Sequence, residues 1–235
     1  MRGAVLVGAM LVGVVASGAA QQREGWGQPG FHAGGALVLA KPTGEFADYV
    51  DLGYGFAGHA VFNPNANGPF GLRADGIFII YGSETNRYQL LPLIEVDVTT
   101  TNQIAAFQFG PQLTLGKGSV QGYGYGQLGF SYFATTSSVE GTSDATPFAN
   151  TTNFDDLTFA TSTGGGLRFR LSSGWTPVSL DLGVRYMRNG RARYLREGSI
   201  EITDDEVTIT PIESETNLIL YQIGVTVGIR GRRPD

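Results

Sequence analysis

From residue 31 onward, apolar side chains return at every second position, and the charged ones fall between them. In 157–171, Leu157, Phe159, Leu167, Phe169 and Leu171 share one face, while Gly164, Gly166, Arg168 and Arg170 share the other. In 177–188, Val178, Leu180, Leu182, Val184 and Tyr186 oppose Ser179, Asp181, Gly183 and Arg185. In 217–230, Ile219, Tyr221, Ile223, Val225, Val227 and Ile229 oppose Gln222, Gly224, Thr226 and Gly228. In 96–115, Phe107, Phe109, Leu113 and Leu115 oppose Gln108, Gly110, Gln112 and Thr114. A period of two belongs to strands with two unlike faces, and no helical period competes with it. Two segments are less clear. In 119–136, Tyr123, Tyr125 and Phe133 fall opposite Leu128, Phe130 and Tyr132, and 31–40 has almost no contrast.

Eight strands are expected, at 31–40, 52–63, 69–82, 96–115, 119–136, 157–171, 177–188 and 217–230. Their connections alternate strictly. Pro64-Asn65-Ala66-Asn67-Gly68, Gly116-Lys117-Gly118 and Ser172-Ser173-Gly174-Trp175-Thr176 are short and rich in turn residues. The connections at 41–51, 83–95, 137–156 and 189–216 are longer and polar. Tight turns on one side and long loops on the other are the pattern of transmembrane barrels. The expected fold is therefore all-β, an eight-stranded antiparallel up-and-down transmembrane β-barrel.

Cost decides which face meets lipid. An arginine facing lipid at mid-bilayer costs roughly 2–4 kcal/mol. Four of them, Arg73, Arg168, Arg170 and Arg185, would together exceed the net stability of most domains. The aliphatic face must point outward and the arginine face inward. The interior then holds Arg73, Asp75, Gln108, Gln112, Arg168, Arg170, Asp181, Arg185 and Gln222. Eight strands enclose a space that side chains just fill. Counting back from a tight Gly174-Trp175 hairpin puts Arg168 opposite Asp181, so those two are expected to pair.

Composition agrees. Charged residues are 16% of the chain, below the roughly 25% of soluble domains. The 35 glycines come without a collagen period and beside 11% aromatics, which leaves tightly curved sheet as their use. There is no cysteine, so disulfides, thiolate metal sites and cysteine catalysis are excluded. The net charge is -5 with no basic stripe, which sets nucleic acid aside as a partner.

Met1–Ala20 reads as a secretory signal peptide: Arg2, an apolar run from Ala4 to Val15, then small residues ending in Ala19-Ala20, with cleavage after Ala20 or one residue earlier. Residues 21–30 form a periplasmic lead-in, 31–230 the barrel and 231–235 a tail.

The last strand carries a further pattern. Gln222-Ile223-Gly224-Val225-Thr226-Val227-Gly228-Ile229 resembles the β-signal read by the outer-membrane insertion machinery, with Gln222, Gly224, Val227 and Ile229 in its defining slots. Ile229 stands where an aromatic is usual. With the eight strands, 31–230 resembles the small outer-membrane barrels of the OmpA-, OmpX- and OmpW-like kind. The resemblance implies an address in the bacterial outer membrane, with its lipid, its lipopolysaccharide and, during biogenesis, the insertion machinery as partners.

Candidate chemistry is sparse. His32 and His59 are too few for a metal centre and read as polar filling of the interior. Barrel enzymes use a histidine with a serine and an acid, and neither His32 nor His59 sits in a matching motif. Gly122-Tyr123-Gly124-Tyr125-Gly126 lacks the lysine and the helix of a phosphate loop, and reads as strand in which glycine relieves crowding beside tyrosine. Residues 189–216 begin with Arg191, Arg193 and Arg196 and turn acidic. Ile200-Glu201-Ile202 and Val207-Thr208-Ile209 flank Asp204-Asp205 as a hairpin would. This loop is either a solvated face held by its own ion pairs or a contact for lipopolysaccharide. The expected role is non-enzymatic, needs no cofactor, and is structural in the envelope or interactive through surface loops. Transport of small hydrophobic molecules, as in OmpW-like barrels, is the alternative. The mature protein should fractionate with outer membranes, resist urea washing and begin near Gln21; recovery from soluble periplasm with Met1 retained would contradict this.

Overall fold

The computed structural model describes residues 30–65, 68–91, 94–116, 118–141, 144–173, 176–195, 199–203 and 206–229. The expected signal peptide, the lead-in up to Pro29, Trp175 and the tail lie outside these. In chain order the strands are β1 (Phe31–Thr43), β2 (Gly53–Phe62), β3 (Phe70–Leu91), β4 (Ile94–Leu115), β5 (Val120–Gly141), β6 (Asp144–Arg170) and β7 (Val178–Asn189). Four short ones follow, β8 (Arg191–Tyr194), β9 (Ile200–Thr203), β10 (Glu206–Ile209) and β11 (Ile212–Glu215), and then β12 (Asn217–Ile229). A 3-10 turn, Gly44–Asp48, joins β1 towards β2.

β1 to β7 and β12 close into one antiparallel barrel, in the order β1-β12-β7-β6-β5-β4-β3-β2. The closing pair runs in register from Phe31 opposite Ile229 to Thr43 opposite Asn217. Closure leaves no unpaired strand edge in hydrocarbon, where an unsatisfied backbone group costs several kcal/mol.

The exterior is apolar. Leu37, Phe56, Phe107, Phe109, Phe130, Phe159, Leu167, Leu182, Ile223 and Val225 all lie exposed on it. Tyr54, Tyr132, Tyr186 and Tyr221 ring its upper edge, and Phe31, Phe62 and Phe70 its lower one. The exposed run of β1 from Phe31 to Leu39, like that of β12 from Tyr221 to Ile229, has the roughly 9–11-residue reach of a tilted spanning strand. Lys41, Glu84, Asp155 and Arg188 come in only above the tyrosines. An antiparallel barrel closed in this way, apolar outside and girdled by aromatics, is the form in which β-sheet spans the outer membrane. The chain is an outer-membrane β-barrel.

Two expectations need correcting. Residues 83–91, 94–95, 137–141 and 144–156 are strand and not loop. β3 and β4 continue as one hairpin to Leu91 and Ile94, and β5 and β6 to Gly141 and Asp144. Above the lipid both faces of these strands meet water, so the alternation that marks a strand vanishes although β-forming threonine and valine persist. Cross-strand pairs hold the extension instead, among them Thr85 Oγ1 with Thr99 Oγ1 at 2.9 Å, Thr100 Oγ1 with Ser137 Oγ at 2.9 Å, and Arg87 with Asp97 at 2.8 and 3.2 Å. The bond from Arg87 holds the Asp97 carboxyl below its ordinary range. In the last connection β9 does pair with β10 across Asp204-Asp205.

Because the chain has no cysteine, single cysteines report topology cleanly. An impermeant maleimide applied to intact cells should label Asn86→Cys at the protruding hairpin and leave Asn65→Cys in the β2–β3 turn untouched. The reverse pattern would mean an inverted barrel.

Candidate functional site in the barrel interior

The lower half of the interior is one polar assembly. β5 turns Tyr123 and Tyr125 inward, their rings stacked 6.1 Å apart at 12°. Three guanidinium groups interleave with them. Arg168 lies 4.7 Å from the Tyr123 ring, Arg73 lies 5.5 and 4.5 Å from Tyr123 and Tyr125, and Arg185 lies 5.1 Å from Tyr125. Cation and ring alternate from the periplasmic end to mid-height, each guanidinium lying against the negative face of a ring.

Two carboxylates tie the ladder together. Asp75 accepts from Arg73 Nε at 2.7 Å and Nη2 at 2.9 Å, from Gln127 Nε2 at 2.7 Å, and from Arg185 Nη2. Asp181 accepts from Arg168 Nε at 3.1 Å, Tyr123 Oη at 2.5 Å and Thr226 Oγ1 at 2.9 Å. Arg168 and Asp181 are register partners on β6 and β7. Gln108 Oε1 takes Arg185 Nη1 at 3.2 Å and Ser162 Oγ at 2.6 Å, and Gln112 Oε1 takes Arg73 Nη1 at 3.1 Å. Of the nine residues expected inside, Arg73, Asp75, Gln108, Gln112, Arg168, Asp181 and Arg185 are all but fully buried. Arg170 and Gln222 are half-buried. Arg170 stands at the periplasmic mouth, and Gln222 has a buried Nε2 without a partner.

The ladder also needs space, and glycines on the facing strands supply it. A Cβ on Gly164 would lie 2.5 Å from Tyr125 Oη, one on Gly166 2.6 Å from Tyr123 Oη, and one on Gly183 2.9 Å from the same oxygen. Gly122, Gly124 and Gly126, which alternate with the tyrosines in sequence, are not crowded: a Cβ on the first two would make ordinary contacts at 4.0 and 3.8 Å, and one on Gly126 would meet nothing within 4 Å. The crowding is relieved on β6 and β7, not on β5.

The upper half corrects the expectation of an all-polar interior. Val38, Ala40, Ile77, Ile79, Ile104, Phe133, Leu218 and Leu220 form an apolar cluster there. Phe46 descends into it from the 3-10 turn and Tyr194 from β8, with edge contacts at 5.7 Å from Phe46 to Tyr81, 6.3 Å to Phe133 and 5.1 Å to Tyr194. Two long connections thus reach back into the barrel. Sequence reasoning also missed Tyr123, Tyr125, Gln127 and Ser162 as interior residues; Gly164-Gly165-Gly166 opposite the two tyrosines was the available signal.

Both histidines lie at the periplasmic end. His32 Nδ1 stands 3.3 Å from Asn63 Nδ2, and His59 Nε2 stands 3.2 Å from Thr226 Oγ1. Thr226 gives its proton to Asp181, so it accepts from His59. That is the reverse of what a nucleophilic hydroxyl needs from its base. Among the described residues no group of three or more histidine, aspartate or glutamate side chains could hold a metal.

No protein-family model matches the chain, and no curated protein matches it. Among solved structures, Ail, the attachment invasion locus protein of Yersinia pestis, matches at TM-score 0.44 and 12% identity, over 85% of this chain and 98% of that one. Neisserial surface protein A, NspA, matches at TM-score 0.43 and 15% identity, over 85% and 97%.

Asp75→Asn would leave Arg73 and Arg185 sharing no anion in a dry interior. It should cost about 3–5 kcal/mol in urea unfolding of the refolded barrel, and Asp181→Ala a cost of the same order through Arg168. Asp97→Asn, in an exposed pair above the membrane, should leave the unfolding midpoint in place. A neutral Asp75→Asn would mean the ladder holds itself by stacking alone.

Proposed function

We propose that the chain is a non-enzymatic, sealed outer-membrane barrel that serves as a base for a surface-exposed four-stranded sheet. One observation carries the reading. The interior is blocked twice, by the arginine–tyrosine ladder below and the Phe46 cluster above, while β3 to β6 continue well beyond the lipid. A pore has no use for two plugs, and a purely structural barrel has no use for two long hairpins in water. The arrangement of Thr226, His59 and Asp181 speaks against hydrolytic work.

The lipid-side partners follow from charge and position. Arg188 is exposed just above the tyrosine ring, which suits a contact with lipopolysaccharide phosphates. Arg191 is already engaged, with Glu213 at 3.2 Å and Glu45 at 3.4 Å, and Arg193 lies 5.4 Å from the Phe154 ring. The described part of the last connection is thus largely held by its own contacts, and among the described residues Arg188, with Lys41, is a cation exposed toward the outer leaflet. Gln222, Gly224, Val227 and Ile229 lie on β12, the strand that closes the barrel against β1, which suits a role as the signal read by the insertion machinery.

Carriage of small hydrophobic molecules is the second reading. What favours it is a cavity of about 530 Å³ beside the top of β2, lined by Tyr49, Leu52, Tyr54, Ile80 and Tyr81 together with the polar Asp51, Ser83 and Asn102, within the range of small-molecule sites. Tyr81 belongs to the apolar cluster below it, so the cavity ends on the plug.

In planar bilayers the refolded protein should show no lasting conductance, and liposomes containing it should take up apolar solutes no faster than empty ones. Replacing 84–98 by a tight turn should leave urea-resistant folding intact. Steady channels would overturn the sealed base, solute uptake would favour carriage, and a truncated chain that cannot fold would make the sheet structural.

A further inference from the structure

The geometry points to a binding site for a single small inorganic anion of the chloride class at the periplasmic mouth of the barrel. Arg168 is 2% exposed, and its Nε is spent on Asp181. Its Nη2 is buried with no partner. A guanidinium N–H left unmade in a dry interior is costly, and native structures satisfy such groups with protein, water or an ion. Beside Arg168 lies a cavity of about 20 Å³, lined by His32, Gln121, Arg168, Arg170, Ser179 and Thr226 among others. None of its lining residues is a carboxylate.

Charge separates an ion from a water here. Within the ladder Arg73, Arg168 and Arg185 face only Asp75 and Asp181, and Asp75 is shared by two of them. Three cations against two anions leave one positive charge in excess, and Arg170 at the mouth adds another. A water would satisfy Nη2 but would leave that charge unbalanced. The remaining donors suit an anion too. With Asn63 Nδ2 donating to Nδ1 of His32, the ring carries its proton on Nε2. Gln121 brings an amide, as the register partner of Arg168 on β5. Room for little more than one water-sized particle favours a halide over phosphate or an organic acid. The mouth opens on the side of the tight turns, so the anion would enter from the periplasm.

The test uses the mature chain refolded in detergent. Its thermal midpoint is followed while sodium bromide replaces sodium gluconate at constant ionic strength, and crystals grown in bromide are searched for anomalous scattering at the mouth. The parent should show a saturable rise in midpoint and one bromide between Arg168 and Arg170. Arg170→Gln should raise the half-saturating bromide concentration about tenfold, since a charge-assisted contact is lost. General salt effects would move parent and variant alike. Gln121→Glu sets a fixed anion opposite Arg168. It should lift the bromide-free midpoint and abolish the bromide dependence, and it keeps the question open to test if Arg170→Gln refolds poorly. A midpoint indifferent to bromide, equal responses in parent and variants, or a mouth without anomalous signal would each overturn the proposal.

Discussion

An arginine cannot face hydrocarbon, and most of this barrel follows from where four of them stand. Arg73, Arg168, Arg170 and Arg185 lie on strands that must cross lipid, so each fixes the inward face of its strand. Neighbouring strands inherit their faces through register. A slip of one residue would turn the whole aliphatic set of a strand inward and its arginine out. Closure between β1 and β12 then completes a wall in which each spanning strand is paired on both sides.

Pointing inward moves the cost rather than removing it. A guanidinium in a narrow interior is desolvated, and it needs anions, acceptors or ring faces around it. Two carboxylates are too few for the ladder's three arginines, and the tyrosine ring faces offset part of the difference. Each ring offers its negative face to a cation, while its hydroxyl serves Asp181 or Arg185. Broad rings fit only where the neighbouring wall is thin. Gly164, Gly166 and Gly183 are that thin wall, since a Cβ at any of them would meet a tyrosine hydroxyl within 2.9 Å. The charge pattern, the two tyrosines and the three glycines are thus one structural device written on four strands.

Legibility in the sequence tracks amphipathic contrast. Where one face meets lipid and the other the polar interior, as in β4, β6, β7 and β12, period-two reading assigns the faces. It also gives the Arg168–Asp181 pairing, because a tight hairpin leaves the register little freedom. Beyond the nearly featureless β1, contrast fails in three places for three reasons. In β5 both faces are aromatic, and only the glycines of the neighbouring strand break the tie. Above the lipid both faces of β3 to β6 are wet, so Ser83 to Thr85 and Ser137 to Val139 read as loop. The upper plug hangs on Phe46 in a short turn and Tyr194 beside a run of arginines, and no local period marks a lone aromatic that folds back into a distant cluster.

The two kinds of filling also stand in an order that physics requires. An apolar interior needs a lid, since Ile79, Ile104, Phe133, Leu218 and Leu220 would otherwise line a wet well. Lids come from long connections, and these lie only at the extracellular end, where Phe46 and Tyr194 are delivered. The periplasmic end has tight turns with nothing to spare for covering. Its interior must be one that tolerates water at the mouth and satisfies itself within, which is what arginine, aspartate, glutamine and tyrosine do. Exchanging the two layers would expose the apolar cluster to the periplasm and seal the charges beneath aromatic caps that offer them no acceptors. The alternation of short and long connections, first visible as a topological signature, therefore also dictates which chemistry fills each half of the barrel.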